Sequence, residues 1–83
     1  MVAMQTVTDT LKSKFDGMEV DLEKMANGRI TGHVVWSGFS GKDHFERQTE
    51  IRTWLSERLG EDAQDIGILL AFTPQEVEAM EAA

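Results

Sequence analysis

The chain has no cysteine, no tyrosine, a single proline and no apolar run longer than residues 68–72. Without cysteine there is no disulfide framework, no Cys-ligated zinc or iron–sulfur site within the chain, and no thiol nucleophile. Residues 68–72 are far too few to span a bilayer, and the N-terminal residues lack the basic region and apolar stretch of a secretory signal. A soluble cytoplasmic protein without membrane contact is therefore expected. Positive charge is also scarce. Eight Lys and Arg face fifteen Asp and Glu, a net charge of −7, which repels a polyanion and disfavours nucleic acid as a partner. The cations, Lys12, Lys14, Lys24, Arg29, Lys42, Arg47, Arg52 and Arg58, are mostly separated by acids, so no basic stripe emerges. Missing too are a Ser/His/Asp pattern, an HExxH motif, a P-loop and a dinucleotide fingerprint. No catalytic residue is assigned, and the chain reads as non-enzymatic.

What is present is the composition of a small folded domain: 83 residues, 41% hydrophobic and 28% charged. A chain of this length fits one domain, residues 1–83, burying roughly 60 to 65% of its unfolded surface. Met4, Val7, Leu11 and Phe15 are spaced as one stripe of a helix over residues 2–15, which Asp16-Gly17 stops. Residues 18–22 alternate apolar with acidic, the period of a half-buried strand. A second strand over residues 30–37 places Ile30, Val34 and Trp36 on one face and Thr31, His33 and Val35 on the other. Asn27-Gly28 between them accepts the positive φ angles of a tight turn, so the two strands should pair antiparallel. Phe45, Gln48, Ile51, Trp54, Leu55 and Leu59 then mark the main amphipathic helix, ending at Gly60. The nearly continuous apolar run 66–72 suits a central or fully covered strand. Thr73-Pro74-Gln75-Glu76 combines a capping box with proline at the first helical position. A short last helix should begin at Pro74 and carry Val77 and Met80 toward the core. The order is α-β-β-α-β-α, an α+β fold with a small three-stranded mixed sheet and its helices on one side. Leu11, Val20, Val34, Trp36, Ile51, Leu55, Leu69 and Phe72 are expected in the core.

Residues 39–42 (Phe-Ser-Gly-Lys), 46–49 (Glu-Arg-Gln-Thr) and 55–59 (Leu-Ser-Glu-Arg-Leu), in one ungapped register, resemble the Phe-x-Gly, Arg-His-Arg and Leu-x-Glu-Glu-Leu pattern of the BolA family. Leu69-Leu-Ala-Phe72-Thr73-Pro74-Gln75-Glu76 is similar to that family's Leu-x-x-Tyr-Thr-Pro-Glu-Glu ending, after a connection about two residues longer, and residues 11–22 are similar to its first helix and strand. The resemblance implies a fold akin to KH domains. It also implies an adaptor or regulator that partners a monothiol glutaredoxin in iron–sulfur or iron homeostasis, as a monomer. Phe39, Gly41, Lys42, Arg47 and Gln48 become the candidate partner surface. Members that share a [2Fe-2S] cluster with a glutaredoxin use a His or Cys between the first two strands and a His nearer the C-terminus. Here residues 25–28 offer neither, Gln48 stands at the His of Arg-His-Arg, and Asp65 falls at or near the His that commonly starts the third strand. An amide holds iron far less well than imidazole or thiolate, so no bound cofactor is expected.

Several sharper readings compete with plainer ones. His33 and His44 are the candidate metal ligands, but they lack ligand spacing, and ordinary surface histidines account for both. Gly38-Phe-Ser-Gly41 before Lys42 spells the GxxG of nucleic-acid-binding KH domains, the alternative function, with Lys42, Arg47 and Arg52 as its cations. The BolA-like Phe-x-Gly turn explains the same residues. Trp36 and Trp54 lie on apolar faces, where packing outweighs base stacking. Arg47 and Arg52 stand among Glu46, Glu50 and Glu57, the pattern of charge pairs on a solvated helix face. An EF-hand counted from Asp62 meets Gly67 at its sixth position but Gln64, Ile66 and Thr73 where ligands belong.

Overall fold

In the computed structural model, which describes residues 2–82, the elements run in the expected order: α1 (Met4–Lys14), β1 (Glu19–Lys24), β2 (Ile30–Val35), α2 (His44–Leu59), β3 (Ile66–Phe72) and α3 (Pro74–Ala82). A 3-10 turn at Ser37–Phe39 precedes α2, and a second one, Gly60–Asp65, connects α2 to β3. The sheet order is β1-β2-β3, with β1 antiparallel and β3 parallel to β2.

The hairpin closes through a tight turn at Asn27-Gly28, as expected, with one residue more in the loop than that dipeptide. The Met25 N–H donates to the Arg29 carbonyl at 2.7 Å and the Gly28 N–H to the Met25 carbonyl at 2.9 Å, which leaves a three-residue loop. Within that loop Gly28 alone takes a positive φ, 86°. Asn27 instead uses its side-chain oxygen to accept from the Arg29 N–H at 3.0 Å, the self-turning habit of Asn. The pairing that follows is the predicted one, from Lys24 opposite Ile30 to Glu19 opposite Val35. Gly32 sits where β1 and β2 approach closely, and a Cβ there would lie 2.0 Å from the Asp21 carbonyl oxygen.

One core lies between the sheet and the first two helices. Val7 and Leu11 of α1, Phe15 after it, Ile30 and Val34 of β2, Ile51 and Leu55 of α2, and Leu69 and Ala71 of β3 belong to a single buried cluster, with Val20, Leu22, Trp36 and Trp54 packed at its margin. Each fully buried aliphatic or aromatic side chain contributes about 1.5–3 kcal/mol relative to exposure. Both indoles are satisfied: Trp36 Nε1 donates to the Asp16 carbonyl and Trp54 Nε1 to the Thr10 carbonyl, each at 2.8 Å. Trp54 ties α2 to α1, and Trp36 ties the end of β2 to the turn after α1.

Four expectations need correction. Met4 and Phe45, spaced as part of apolar helix stripes, are exposed: each stands in the first turn of its helix, and Phe45 lies off the face that Arg47, Ile51 and Leu55 turn inward. β3 is an edge strand, not a central one, and Ile68 and Leu70 face out while Leu69 and Ala71 face in. Its apolar run therefore reflects one buried face and one uncovered face. Phe72, counted in the core, is half-buried on that uncovered face beside His33. Met80 is exposed and α3 buries no side chain, so the last helix is held at its start and not by an apolar stripe.

That start is well built. The Thr73 N–H donates to Glu76 Oε1 at 2.8 Å, and the Glu76 N–H donates to Thr73 Oγ1 at 3.2 Å, the reciprocal capping box. Asp43 caps α2 by accepting from the Glu46 N–H at 2.8 Å.

Candidate functional site: the glycine turn and the start of α2

The segment from Trp36 to Gln48 joins β2 to α2. Its turn is closed on itself: the N–H groups of Phe39, Ser40 and Lys42 donate to the carbonyls of Trp36, Ser37 and Phe39 at 3.2, 3.1 and 3.0 Å. Gly38 lies under the Trp36 ring, where a Cβ would meet ring carbons at 2.4–2.5 Å, and Gly41 takes a φ of 82° in open space. Both glycines have steric reasons to be glycine, independent of any ligand.

The five residues of the expected partner surface separate into two groups. Gly41 is exposed and Lys42 half-exposed, with Lys42 Nζ 2.6 Å from Glu50 Oε2. Phe39, by contrast, is fully buried, its ring 5.2 Å from Trp36 and 6.3 Å from Phe15. It plugs the end of the core and supports the turn from beneath. Arg47 is buried as well, at 5% exposure, where a solvated helix face was expected. Its Nε donates to the Lys42 carbonyl at 2.9 Å, and its Nη1 donates to the Ala71 carbonyl at 3.0 Å and to Glu76 Oε1 at 2.7 Å. Nη2 reaches Glu76 Oε2 at 3.2 Å, completing a two-pronged pair. The partner lies 29 residues away and not among the neighbouring acids of α2. One guanidinium thus ties the glycine turn, the end of β3 and the cap of α3 together. Arg47 and the Thr73 N–H hold the Glu76 carboxyl well below its ordinary 4.5, at about 2. Gln48 is half-buried and donates from Nε2 to the Leu69 carbonyl at 2.6 Å, pinning α2 to β3.

Phe45, read from the sequence only as part of the apolar stripe of α2, is instead a surface residue beside the turn. It is 78% exposed on the first turn of α2 and shares a shallow groove with Lys14, Lys42, Thr49 and Thr53. The signal available was its position two residues after the N-cap Asp43, ahead of the first inward-facing position of the helix. The GxxG cations are differently disposed: Lys42 is paired with Glu50, Arg47 is enclosed with Glu76, and Arg52 is exposed farther along α2. The Asp43 carboxylate occupies the helix N-terminus that a phosphate would approach.

His33 stands exposed on β2, its Nε2 3.8 Å from Asp21 Oδ2, and His44 is exposed at the start of α2. Among the described residues no group of three or more His, Cys, Asp or Glu side chains is placed to hold a metal ion. The donor set does not fit an iron–sulfur cluster: the β1–β2 loop has neither imidazole nor thiol, and the Gln48 amide is engaged with Leu69. No helix among the described residues is long and apolar enough to cross a membrane.

Three helices packed with a small mixed sheet make this an α+β protein. Its fold is that of the BolA proteins. The chain superposes on BolA1 from Arabidopsis thaliana with a TM-score of 0.73 and 18% identity, covering 87% of this chain and 92% of that one. It matches a bolA protein homologue from Coxiella burnetii at 0.73 and 20% identity, over 94% of this chain and 99% of that one. A third similar structure is the BolA domain of SufE1 from Arabidopsis thaliana, at 0.71 and 19% identity, covering 92% and 99% of the two chains. No protein-family model matches the sequence, and a search of curated proteins finds no match.

Proposed function

We propose that the chain is a BolA-type, non-enzymatic protein that acts through protein contacts, as an adaptor or regulator bound to a monothiol glutaredoxin in iron or iron–sulfur homeostasis, without itself ligating a cluster. The observation that carries this reading is Gln48: within a BolA fold, the position where the resemblance expects an imidazole holds an amide that is committed to the Leu69 carbonyl. The surface offered to the partner is Gly41, Lys42 and the exposed Phe45, held in place by the buried Phe39 and Arg47. An exposed aromatic beside a polar rim is the usual anchor of a small interface. That a BolA domain forms part of SufE1 accords with work done through attached or bound proteins. The nucleic-acid reading draws no support from the paired cations and the carboxylate-capped helix of the GxxG segment.

The test is co-expression with a monothiol glutaredoxin from the same organism, followed by affinity purification and gel filtration. A complex is expected, and Phe45→Ala should weaken it roughly tenfold, the loss of a modest hot spot. Failure of the wild-type proteins to co-purify overturns the partner assignment.

A further inference from the structure

The buried core lies on one side of the sheet, and on the other side Glu19, Asp21, Glu23, His33 and Leu70 are exposed. Strand alternation and register place Glu19, Asp21 and Glu23 of β1 on the open side, opposite Val35, His33 and Thr31 of β2. On β3 the same side carries Leu70 and Phe72, opposite His33 and Val35. Leu70 is 51% exposed, and His33 stands between the two strands, near Asp21 and with its ring 6.4 Å from that of Phe72. The result is a two-part surface, with a row of carboxylates along one edge strand and an apolar row along the other.

The distribution of charge strengthens that division. Residues 1–18 carry Lys12 and Lys14 against Asp9 and Asp16, and residues 42–59 carry four cations against four acids, so α1 and α2 with their flanks are neutral. The whole net charge of −7 falls on the remainder, where nine acids meet Lys24 and Arg29, and three of the nine, Glu19, Asp21 and Glu23, line the open face. The strand positions of the open face include no Lys or Arg; Arg29 reaches only its hairpin end, with Nε 3.8 Å from where a Gly67 Cβ would be.

We propose that this open sheet face docks a basic amphipathic segment of a partner protein, apolar side chains meeting Val35, Leu70 and Phe72 and Lys or Arg side chains meeting Glu19, Asp21 and Glu23. Oppositely charged rows steer the encounter and fix its orientation. A polyanion is repelled by the carboxylates. A second copy of the chain would set two like-charged rows in one interface. This surface shares no residue with Gly41, Lys42 and Phe45, so a partner there can be held independently of a glutaredoxin.

The probe is a designed helical peptide with a leucine stripe flanked by lysines, compared with the matched peptide carrying glutamate in place of lysine, each titrated into the nitrogen-15-labelled full chain. Saturable amide shifts are expected at Asp21, His33, Val35 and Leu70 for the lysine peptide, with the glutamate peptide at least tenfold weaker. Leu70→Ser and Asp21→Lys should each lower the lysine peptide's affinity several-fold while leaving the remaining amide spectrum in place. Absence of saturable shifts, shifts confined to the Lys14–Phe45 groove, equal affinity for the two peptides, or concentration-dependent dimerisation through the same residues would overturn the proposal.

Discussion

The two sides of β3 are made of much the same residues and live in different worlds. Leu69 and Ala71 are buried in the core, whereas on the opposite side Leu70, one position along, is half-exposed and Phe72 is only partly buried. Apolar composition alone does not bury a strand; the cover must come from another element. A run such as Ile-Leu-Leu-Ala-Phe is consistent with burial on both faces, and here the second face is left for solvent or for a partner.

Paired substitutions break the comparison most sharply. Leu69→Ala should cost about 2–5 kcal/mol, the combined loss of transfer energy and a cavity. Leu70→Ala should stay within about 0.5 kcal/mol, as expected for an exposed position. Denaturant unfolding measures both, and equal losses would mean that the open face is covered after all. A smaller effect is expected at the join between β3 and α2. Arg47→Ala leaves the Lys42 and Ala71 carbonyls without their donor and should cost roughly 1–3 kcal/mol. Thr73→Ala removes a helix cap and should cost about 1 kcal/mol.

Acid should expose the same join. The Glu76 carboxyl titrates at about 2 in the folded chain, against an ordinary 4.5, chiefly because it accepts from Arg47 and the Thr73 N–H. Its folded value is depressed, so its contribution is fully present above the unfolded value and fades as pH falls from 4.5 toward 2. Glu76→Gln should be less stable than the wild type at neutral pH, and the gap should narrow across that window. A gap that stays constant with pH would show that the ion pair carries none of the difference. Solvent access to Glu76 keeps the effect modest.

Much of the fold was legible because local signals agreed with the global arrangement. Helical spacing, the Asn27-Gly28 hairpin and the Thr73-Pro74-Glu76 start all specify the elements that form. What escaped was whatever depends on distant partners. Nothing near Arg47 announces that its partner is Glu76, and the local acids Glu46 and Glu50 suggest a solvated pair instead. Phe39 looks like a turn residue because glycines surround it, although its volume is what closes the core. Phe45 fits a helical stripe by spacing but lies off the inward face of α2 and is exposed. Of the residues 39–48, the turn and helix start were legible, while the division into buried side chains (Phe39, Arg47) and solvent-accessible ones (Gly41, Lys42) required the tertiary structure.

The most direct measurement is visible absorption and circular dichroism of cluster-loaded glutaredoxin, alone and mixed with this chain in the complex proposed above. Without an imidazole at position 48 or a ligand in the β1–β2 loop, binding should leave the cluster spectrum of the glutaredoxin unchanged. A distinct cluster spectrum in the complex, lost on His33→Ala or His44→Ala, would contradict the account and make those histidines ligands.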